Sequence, residues 1–496
     1  MSGHPGARPP TAAPAAVGLL AVMDVLAPLA QRFVEGGHEL SLVGGPVRDL
    51  MRGQGPAQDL DLTTSARPEV IVALLDGWAD AVWDVGMRFG TVGARKGDHR
   101  LEITTYRTET YDDASRKPEV AFGDSLAGDL VRRDFTINAM AVRLPSLEFV
   151  DLHGGMTDLR EGILRTPGTP EESFGDDPLR MMRAARFVSQ LGFAIDPGVR
   201  DAMQRMASRI DIVSAERIRD ELVKLLLGTY PREGLEVLVS TGLAEHVMPE
   251  LPALQLELDE HHRHKDVYQH SLTVMEQAID LETGHEPAMP ADVVLRLAAL
   301  LHDIGKPRTR KFDDGGGVSF HHHEVVGARM VRKRLTALRF PQEVVEDVSR
   351  LTELHLRFHG YGTGEWTDSA VRRYVRDAGD LLPRLHKLTR ADCTTRNRRR
   401  AQALQEAYDG LEARIAELSE QEELASLRPD LDGNQIMAIL GIAAGPEVGQ
   451  AYRYLLEVRL DQGPLGPEAA EELLRAWWEA RDARNGGSGP SGSVPD

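Results

Sequence analysis

One cysteine, Cys393, stands among 496 residues. A single thiol excludes an intramolecular disulfide framework and a zinc site built from cysteines, and it fits a reducing cytoplasm. Long apolar runs are missing as well. No stretch approaches 18 uncharged apolar residues, which excludes a membrane-spanning helix. The start, MSGHPGARPPTAAPAAV, has no basic segment leading into an apolar core, as a secretory signal would. Positive charge is in deficit: 58 Lys and Arg face 77 Asp and Glu, a net charge of −19. Such a chain is no obvious nucleic-acid binder, although a local basic groove acts through its own field rather than the total.

What is present is too long for one core, which rarely passes roughly 250–300 residues, so two to four domains are expected. Residues 1–16 and 485–496 are rich in Pro, Ala, Gly and Ser and read as disordered tails. Residues 17–160 mix strand and helix signals, as an α/β or α+β domain does. Glu39–Val43 reads as a strand ending in Gly44-Gly45, and Pro46 suits the first turn of a short helix closed by Gly53. From 161 onward the pattern is helical, with apolar residues at three- and four-residue spacing over Arg180–Leu191 and Ala215–Leu227. Eleven of the 17 histidines fall between His261 and His359, which marks a second, separate piece of chemistry.

Three features of the first domain converge on phosphoryl transfer. In Gly44-Gly45-Pro46-Val47-Arg48-Asp49, glycines at a strand-to-helix turn let backbone N–H groups approach a phosphate, and Arg48 sits one turn in. In Asp59-Leu60-Asp61, strand alternation projects both carboxylates to one face while Leu60 faces the core. Paired carboxylates repel unless a cation lies between them, and hard oxygen ligands suit Mg²⁺. Glu102, in RLEITTYR, offers a third carboxylate on a neighbouring strand. Such parts align a hydroxyl with an α-phosphate and neutralise a leaving pyrophosphate.

These motifs continue as RRDFTINAMA (Arg132–Ala141), DDPLRMMRAARF (Asp176–Phe187) and SAERIRDEL (Ser214–Leu222). In that order and spacing the chain resembles the class II tRNA nucleotidyltransferase/poly(A) polymerase family, and most closely its CCA-adding members. The resemblance implies a polymerase-β-like nucleotidyltransferase head (17–160) followed by an all-α neck for base recognition and RNA binding (161–255). It implies that Gly45 and Arg48 hold the triphosphate, that Asp59 and Asp61 hold Mg²⁺, and that Arg133 contacts the nucleotide. It further implies that Asp177 and Arg180, with Arg183 and Arg186 at three-residue steps, read the incoming base without a nucleic-acid template. A carboxylate can accept from the amino group that cytosine and adenine share, and an arginine can donate to ring acceptors. Asp176 stands where the family commonly has Glu. CTP, ATP and the tRNA acceptor stem are the implied partners. Poly(A) polymerases of the family carry a GRRF-like signature where this chain reads GMRFGTV (Gly86–Val92), and Met87 breaks it. The stretch Thr105–Phe122 is as long as in relatives that switch from CTP to ATP.

The second constellation is ordered as His270, His302-Asp303 in LLHDIGKP, His323, His355 and Asp392. Imidazoles and carboxylates converging in a helical bundle make a mixed nitrogen and oxygen site for a divalent metal such as Mn, Fe, Ni, Zn or Mg. The order resembles the HD phosphohydrolase superfamily, which implies an HD domain over 256–395. His270, His302, Asp303 and Asp392 match its one-metal pattern, and His323 and His355 add a second metal. Beyond it, 396–484 reads as a helical C-terminal region. The densest basic run, Arg396, Arg398, Arg399 and Arg400, would serve to grip an acceptor stem, which is read by shape and phosphate contacts. The expected activity is CCA addition. The rivals are a poly(A) polymerase and an HD phosphohydrolase whose head only binds RNA.

Overall fold

A computed structural model describes residues 12–54, 58–87, 90–110, 119–123, 125–256, 266–312, 318–358, 367–393, 397–422 and 428–485. The chain divides into two compact units, 1–253 with 337–340, and 254–336 with 341–496.

The first unit opens on α1 (Ala12–Glu35), which places Val22, Leu26, Leu29, Ala30 and Phe33 along one buried stripe. The helix therefore begins inside the segment expected to be a disordered tail. Four alanines at 12, 13, 15 and 16 favour helix strongly enough to extend it there, with Pro14 tolerated in the first turn. A seven-stranded mixed sheet follows. Its strands are β1 (Leu40–Val43), β2 (Asp59–Thr64), β3 (Ala81–Gly86), β4 (Thr91–Lys96), β5 (His99–Thr105), β8 (Met140–Leu144) and β9 (Phe149–Asp151), in the order β3-β4-β5-β2-β1-β8-β9. Strands β6 (Arg107–Thr110) and β7 (Glu119–Phe122) pair as a separate hairpin. Within the seven-stranded sheet only the β2–β5 pair is parallel among the described residues; its register sets Asp61 opposite Glu102. Alternation holds along β2: Leu60 and Leu62 are buried, Asp59 is exposed and Asp61 half-buried. The helices of this part are α2 (Gly45–Met51), α3 (Pro68–Leu75), α4 (Leu126–Val131) and α5 (Gly155–Glu161).

The neck is built from α6 (Pro170–Asp176), α7 (Leu179–Leu191), α8 (Pro197–Met206), α9 (Ala215–Leu226), α10 (Pro231–Ser240), α11 (Leu243–Val247) and α12 (Glu250–Ala253). It is not wholly helical. Strands β10 (Ile163–Leu164) and β11 (Ala194–Ile195) pair in parallel, and at two residues each they are too short to show a period in sequence. Gly234 lets α10 press onto α7, because a methyl there would lie 2.8 Å from the Ala185 carbonyl oxygen.

The second unit is helical: α13 (Val267–Gly284), α14 (Val293–Leu301), α15 (Lys306–Thr309), α16 (His323–Ala337), α17 (Gln342–Leu354), α18 (Asp368–Ala378), α19 (Leu382–Ala391), α20 (Arg398–Glu422), α21 (Gly433–Leu440), α22 (Pro446–Gln462) and α23 (Pro467–Asn485). The short strands β12 (Lys311–Phe312) and β13 (Val318–Ser319) pair before α16. Helix α14 is buried from Val294 to Leu301, and its Arg296 is matched inside by Glu282 at 2.6 Å. Such a buried charge persists only because it is paired. The last three helices gather a small core of Leu431, Ile436, Ala451, Leu455, Ala470 and Leu474. No described helix is long and apolar enough to cross a membrane.

Candidate active site and metal centre

Gly44 ends β1 at φ +74°, a conformation that side-chain-bearing residues rarely adopt. The absence of a side chain also matters sterically. A methyl on Gly44 would lie 3.2 Å from Arg133 Nη1 and 3.5 Å from Asp61 Oδ2, so the glycine turn, the β2 carboxylate and the RRDFTINA arginine meet at one point. Burial and the nearby charges of Glu102 and Asp59 raise the Asp61 pKa, against the opposing pull of Arg133. Glu102 accepts from Arg100 at 3.3 Å on the same strand. A half-buried carboxylate in the field of two others fits a hard divalent cation.

Arg48 lies one turn into α2. It forks onto Asp49 at 2.8 and 2.9 Å and donates from Nη1 to Asn138 Oδ1 at 2.9 Å. Asn138 Nδ2 donates to Asp134 Oδ1 at 3.0 Å, and Asp134 Oδ2 accepts from Arg183 Nε at 2.8 Å. Although burial opposes it, Arg183 and these hydrogen bonds hold Asp134 well below the usual carboxylate range. Arg133 is steadied by Asp129 at 3.0 Å. Sequence reasoning took only Arg133 from this motif. Asp134 and Asn138 were missed, and the signal for them was the motif's own polar residues beside an apolar Phe-Thr-Ile run; Asp129, in α4, lies before the motif and had no such signal.

The arginines of α7 have distinct settings. Arg180 donates to Ser173 Oγ at 2.9 Å and to the Arg132 carbonyl at 2.5 Å. Arg183 faces Asp134. Arg186 is buried against Glu221 of α9 at 3.1 Å, and burial beside Arg183 pulls its pKa down to about 10. Two of the three, together with Arg48 of α2, surround one ring: Phe187 has Arg186 at 4.3 Å, Arg48 at 5.4 Å and Arg183 at 5.7 Å from its centroid. Asp177 closes α6, accepts from the Leu179 N–H at 3.1 Å and pairs with Arg217 at 2.8 Å.

In the second unit, helix ends bring the expected histidines together. Two groups have ligand atoms within 4.8 Å of one another: His270, His302 and Asp392, and Asp303, His323 and His355. Asp303 stands between them. Its Oδ2 is 3.2 Å from His302 Nε2 and 3.5 Å from His270 Nε2, while its Oδ1 is 3.3 Å from His323 Nε2. His270 Nε2 also meets Asp392 at 3.0 Å. Nδ1 of His302, His323 and His355 lies 2.8, 2.8 and 2.6 Å from the carbonyls of Ala299, Phe320 and Thr352. A carbonyl only accepts, so each Nδ1 carries a proton, which leaves Nε2 as the atom through which each ring would bind a metal once unprotonated there. Nε2 of His323 and of His355 is buried with no hydrogen-bond partner, which is the signature a metal ion would resolve. Burial and the neighbouring His302 pull His355 down to about 3. For His302, burial is outweighed by Asp303 and Asp392, and its pKa rises to about 9. Lys306, from HDIGKP, lies 2.9 Å from Asp303 Oδ2 and was not singled out from the sequence.

Of the basic run, Arg398, Arg399 and Arg400 open α20 and are exposed; Arg396 lies outside the described residues. So do Arg88 and Phe89 of GMRFGTV and residues 111–118 of the long loop.

Comparison with known proteins follows this division. Residues 40–165 match the family "Poly A polymerase head domain", 192–254 match "Probable RNA and SrmB- binding site of polymerase A", and 267–397 match "HD domain". The A-adding tRNA nucleotidyltransferase of Deinococcus radiodurans is 34% identical over 454 residues, 88% of this chain and 95% of that one. The CC-adding tRNA nucleotidyltransferase of Thermus thermophilus is 33% identical, covering 90% and 95%. A CCA-adding enzyme of Lactobacillus helveticus is 42% identical over 44% of this chain and 54% of its own length. Among solved structures, the Bacillus stearothermophilus CCA-adding enzyme in complex with CTP aligns at a TM-score of 0.64 and 25% identity, covering 93% of this chain and 99% of that one. With a nearly full-length relative at this identity, and with head, neck and histidine centre each in place, the chain belongs to the tRNA nucleotidyltransferase/poly(A) polymerase family, as a member that carries an HD domain.

Proposed function

We propose that this protein is a template-independent CCA-adding enzyme, which extends a tRNA 3′ end with C, C and A from CTP and ATP and releases pyrophosphate. The observation that carries the reading is the meeting of Asp61, the Gly44 turn and Arg133, joined through Arg48, Asn138 and Asp134 to α7. Asp59 and Asp61 would hold Mg²⁺, with Glu102 deepening the negative field beside them. Bound there, the ion supplies Lewis-acid polarisation of the α-phosphate and charge neutralisation for the departing pyrophosphate. Gly45, Arg48 and Arg133 hold the triphosphate and orient it toward the tRNA 3′-hydroxyl. Asp177 and Arg180 present an acceptor and donors to the base, and Arg183 and Arg186 fix α7 behind them. Arg396, Arg398, Arg399 and Arg400 engage the acceptor stem. A tRNA substrate fits a cytoplasmic location.

The HD centre gives a second activity, hydrolysis of phosphate esters at RNA ends. Its donors, imidazoles and carboxylates mixed, suit Mn, Fe, Ni or Zn better than Mg. The test of the main reading uses tRNA lacking its last three nucleotides, with CTP and ATP supplied singly and together. CTP alone should add two residues, both together three, and addition should then stop. A specific observation favours a second reading: the relatives from Deinococcus and Thermus, matched over 95% of their length, are an A-adding and a CC-adding tRNA nucleotidyltransferase. No incorporation of C would establish the first of these, and arrest after CC with both nucleotides the second. Long runs of A would establish a poly(A) polymerase.

A further inference from the structure

The segment between two members of the histidine centre, Asp303 and His323, carries features that neither reading uses. It holds α15 and the β12–β13 pair. Phe312, at the end of β12, is 70% exposed, more than any other large hydrophobic side chain described. The Arg310 guanidinium lies 4.5 Å from its ring centroid. Arg308 and Lys311 are exposed, and neither has an ion-pair partner among the described residues, in a chain whose net charge is −19. Helix α16, which starts at His323, adds exposed Arg329, Arg332 and Lys333 at a spacing that puts them on one face. Gly305 locks the two stretches together. A methyl there would run into the His323 carbonyl and lie 2.8 Å from the Gly327 nitrogen. Lys306, 2.9 Å from Asp303 Oδ2, puts a cation from the same stretch at the centre itself.

An exposed ring beside cations suits a base and its phosphates. Aromatic faces stack on any base, and cations follow the backbone of a single strand. We propose that this face binds the single-stranded end of an RNA, with a base stacked on Phe312 and phosphates on Arg308 and Lys311. The terminal phosphate is thereby delivered to the histidine and carboxylate centre. The delivery step rests on the hydrolytic reading of that centre; the binding site does not.

The test is photocrosslinking of the full-length protein to a short single-stranded RNA bearing a terminal phosphate and 4-thiouridine next to it, with adducts mapped by mass spectrometry. The adduct should map between Lys306 and His323 and fall about tenfold in Phe312→Ala, a change at an exposed position that leaves the core untouched. In binding titrations, Arg308→Glu with Lys311→Glu should lower the slope of log affinity against log salt by roughly 1.4. Adducts confined to residues 12–253, or unchanged in Phe312→Ala, would overturn the proposal. Correct mapping without hydrolysis of the terminal phosphate by the metal-loaded protein would sink the hydrolytic reading alone and leave the binding site standing.

Discussion

Arg48 and Arg183 come from helices 135 positions apart in sequence yet hang on one hydrogen-bonded chain, Arg48 to Asn138 to Asp134 to Arg183. The group assigned to the triphosphate and the helix assigned to the base thus share a support. Asp134 is the acceptor at its centre, and it also caps the Phe135 N–H at 2.8 Å. Its pKa is lowered in the folded state. Its contribution is therefore present above the unfolded value near 4 and is lost as pH falls through that value and below. Asp134→Asn should cost roughly 1–3 kcal/mol at pH 7, since charge-assisted hydrogen bonds are lost. It should also flatten the acid limb of a stability profile measured by urea melts from pH 3 to 7. An unaltered acid limb would show that Asp134 is not ionised in the native protein.

Gly44→Ala tests the close approach. The new methyl meets Arg133 and Asp61 and sits at a φ that alanine resists. A backbone strain of about 1–3 kcal/mol is expected. Nucleotide incorporation should fall much further than stability, on the order of a hundredfold, because sub-ångström misplacement of reacting groups is costly. Parallel thermal melts and incorporation assays separate the two; equal losses would mean that the turn only supports the fold.

The parts of these sites that a sequence displays are local. The alternation of Asp59-Leu60-Asp61 fixed a shared face because strand side chains point by a period of two, and β2 keeps it. The order of histidines pointed to a metal centre, most plainly at His302-Asp303, which follows the apolar run of α14. What stayed hidden was pairing at a distance. Nothing near Asn138 indicates Arg48, ninety residues earlier; the register of β1 against β8 brings them together. Likewise Asp303 falls into a group with His323 and His355 while also touching His302 and His270, so it belongs to both sets rather than to the first alone.

Removing one carboxylate should stop transfer and nothing else. Asp61→Ala deletes the half-buried member of the pair assigned to Mg²⁺. The loss expected from a metal's share of charge stabilisation is several kcal/mol, about a thousandfold in rate. Incorporation should collapse while the metal content of the HD centre, read by elemental analysis, stays constant. Wild-type rates in this variant would refute the assignment.

The shared position of Asp303 predicts an asymmetry in metal loading. Its two oxygens face different histidine sets, so Asp303→Ala should empty both. His355→Ala touches one group only. Elemental analysis after loading with Mn²⁺ should find the first variant metal-free and the second holding about half the wild-type content. Equal contents in the two variants would show that the six residues do not form two adjoining sites.

Arg217 is the last residue with a checkable task. It opens α9 and pairs at 2.8 Å with Asp177, the carboxylate assigned to the base, while lying more than half exposed itself. An exposed pair contributes little to stability, typically under 1 kcal/mol. Its value here would lie in aiming Asp177, whose other oxygen already receives the Leu179 N–H. Arg217→Ala should therefore leave the melting temperature within about 2 °C. It should nonetheless raise incorporation of UMP relative to CMP, because an unaimed carboxylate no longer insists on a base that can donate an amino hydrogen. Arg217→Lys, which keeps a charge near Asp177 but not the fork, should fall between the two. Unchanged discrimination in Arg217→Ala would detach Asp177 from base selection and leave that task to Arg180.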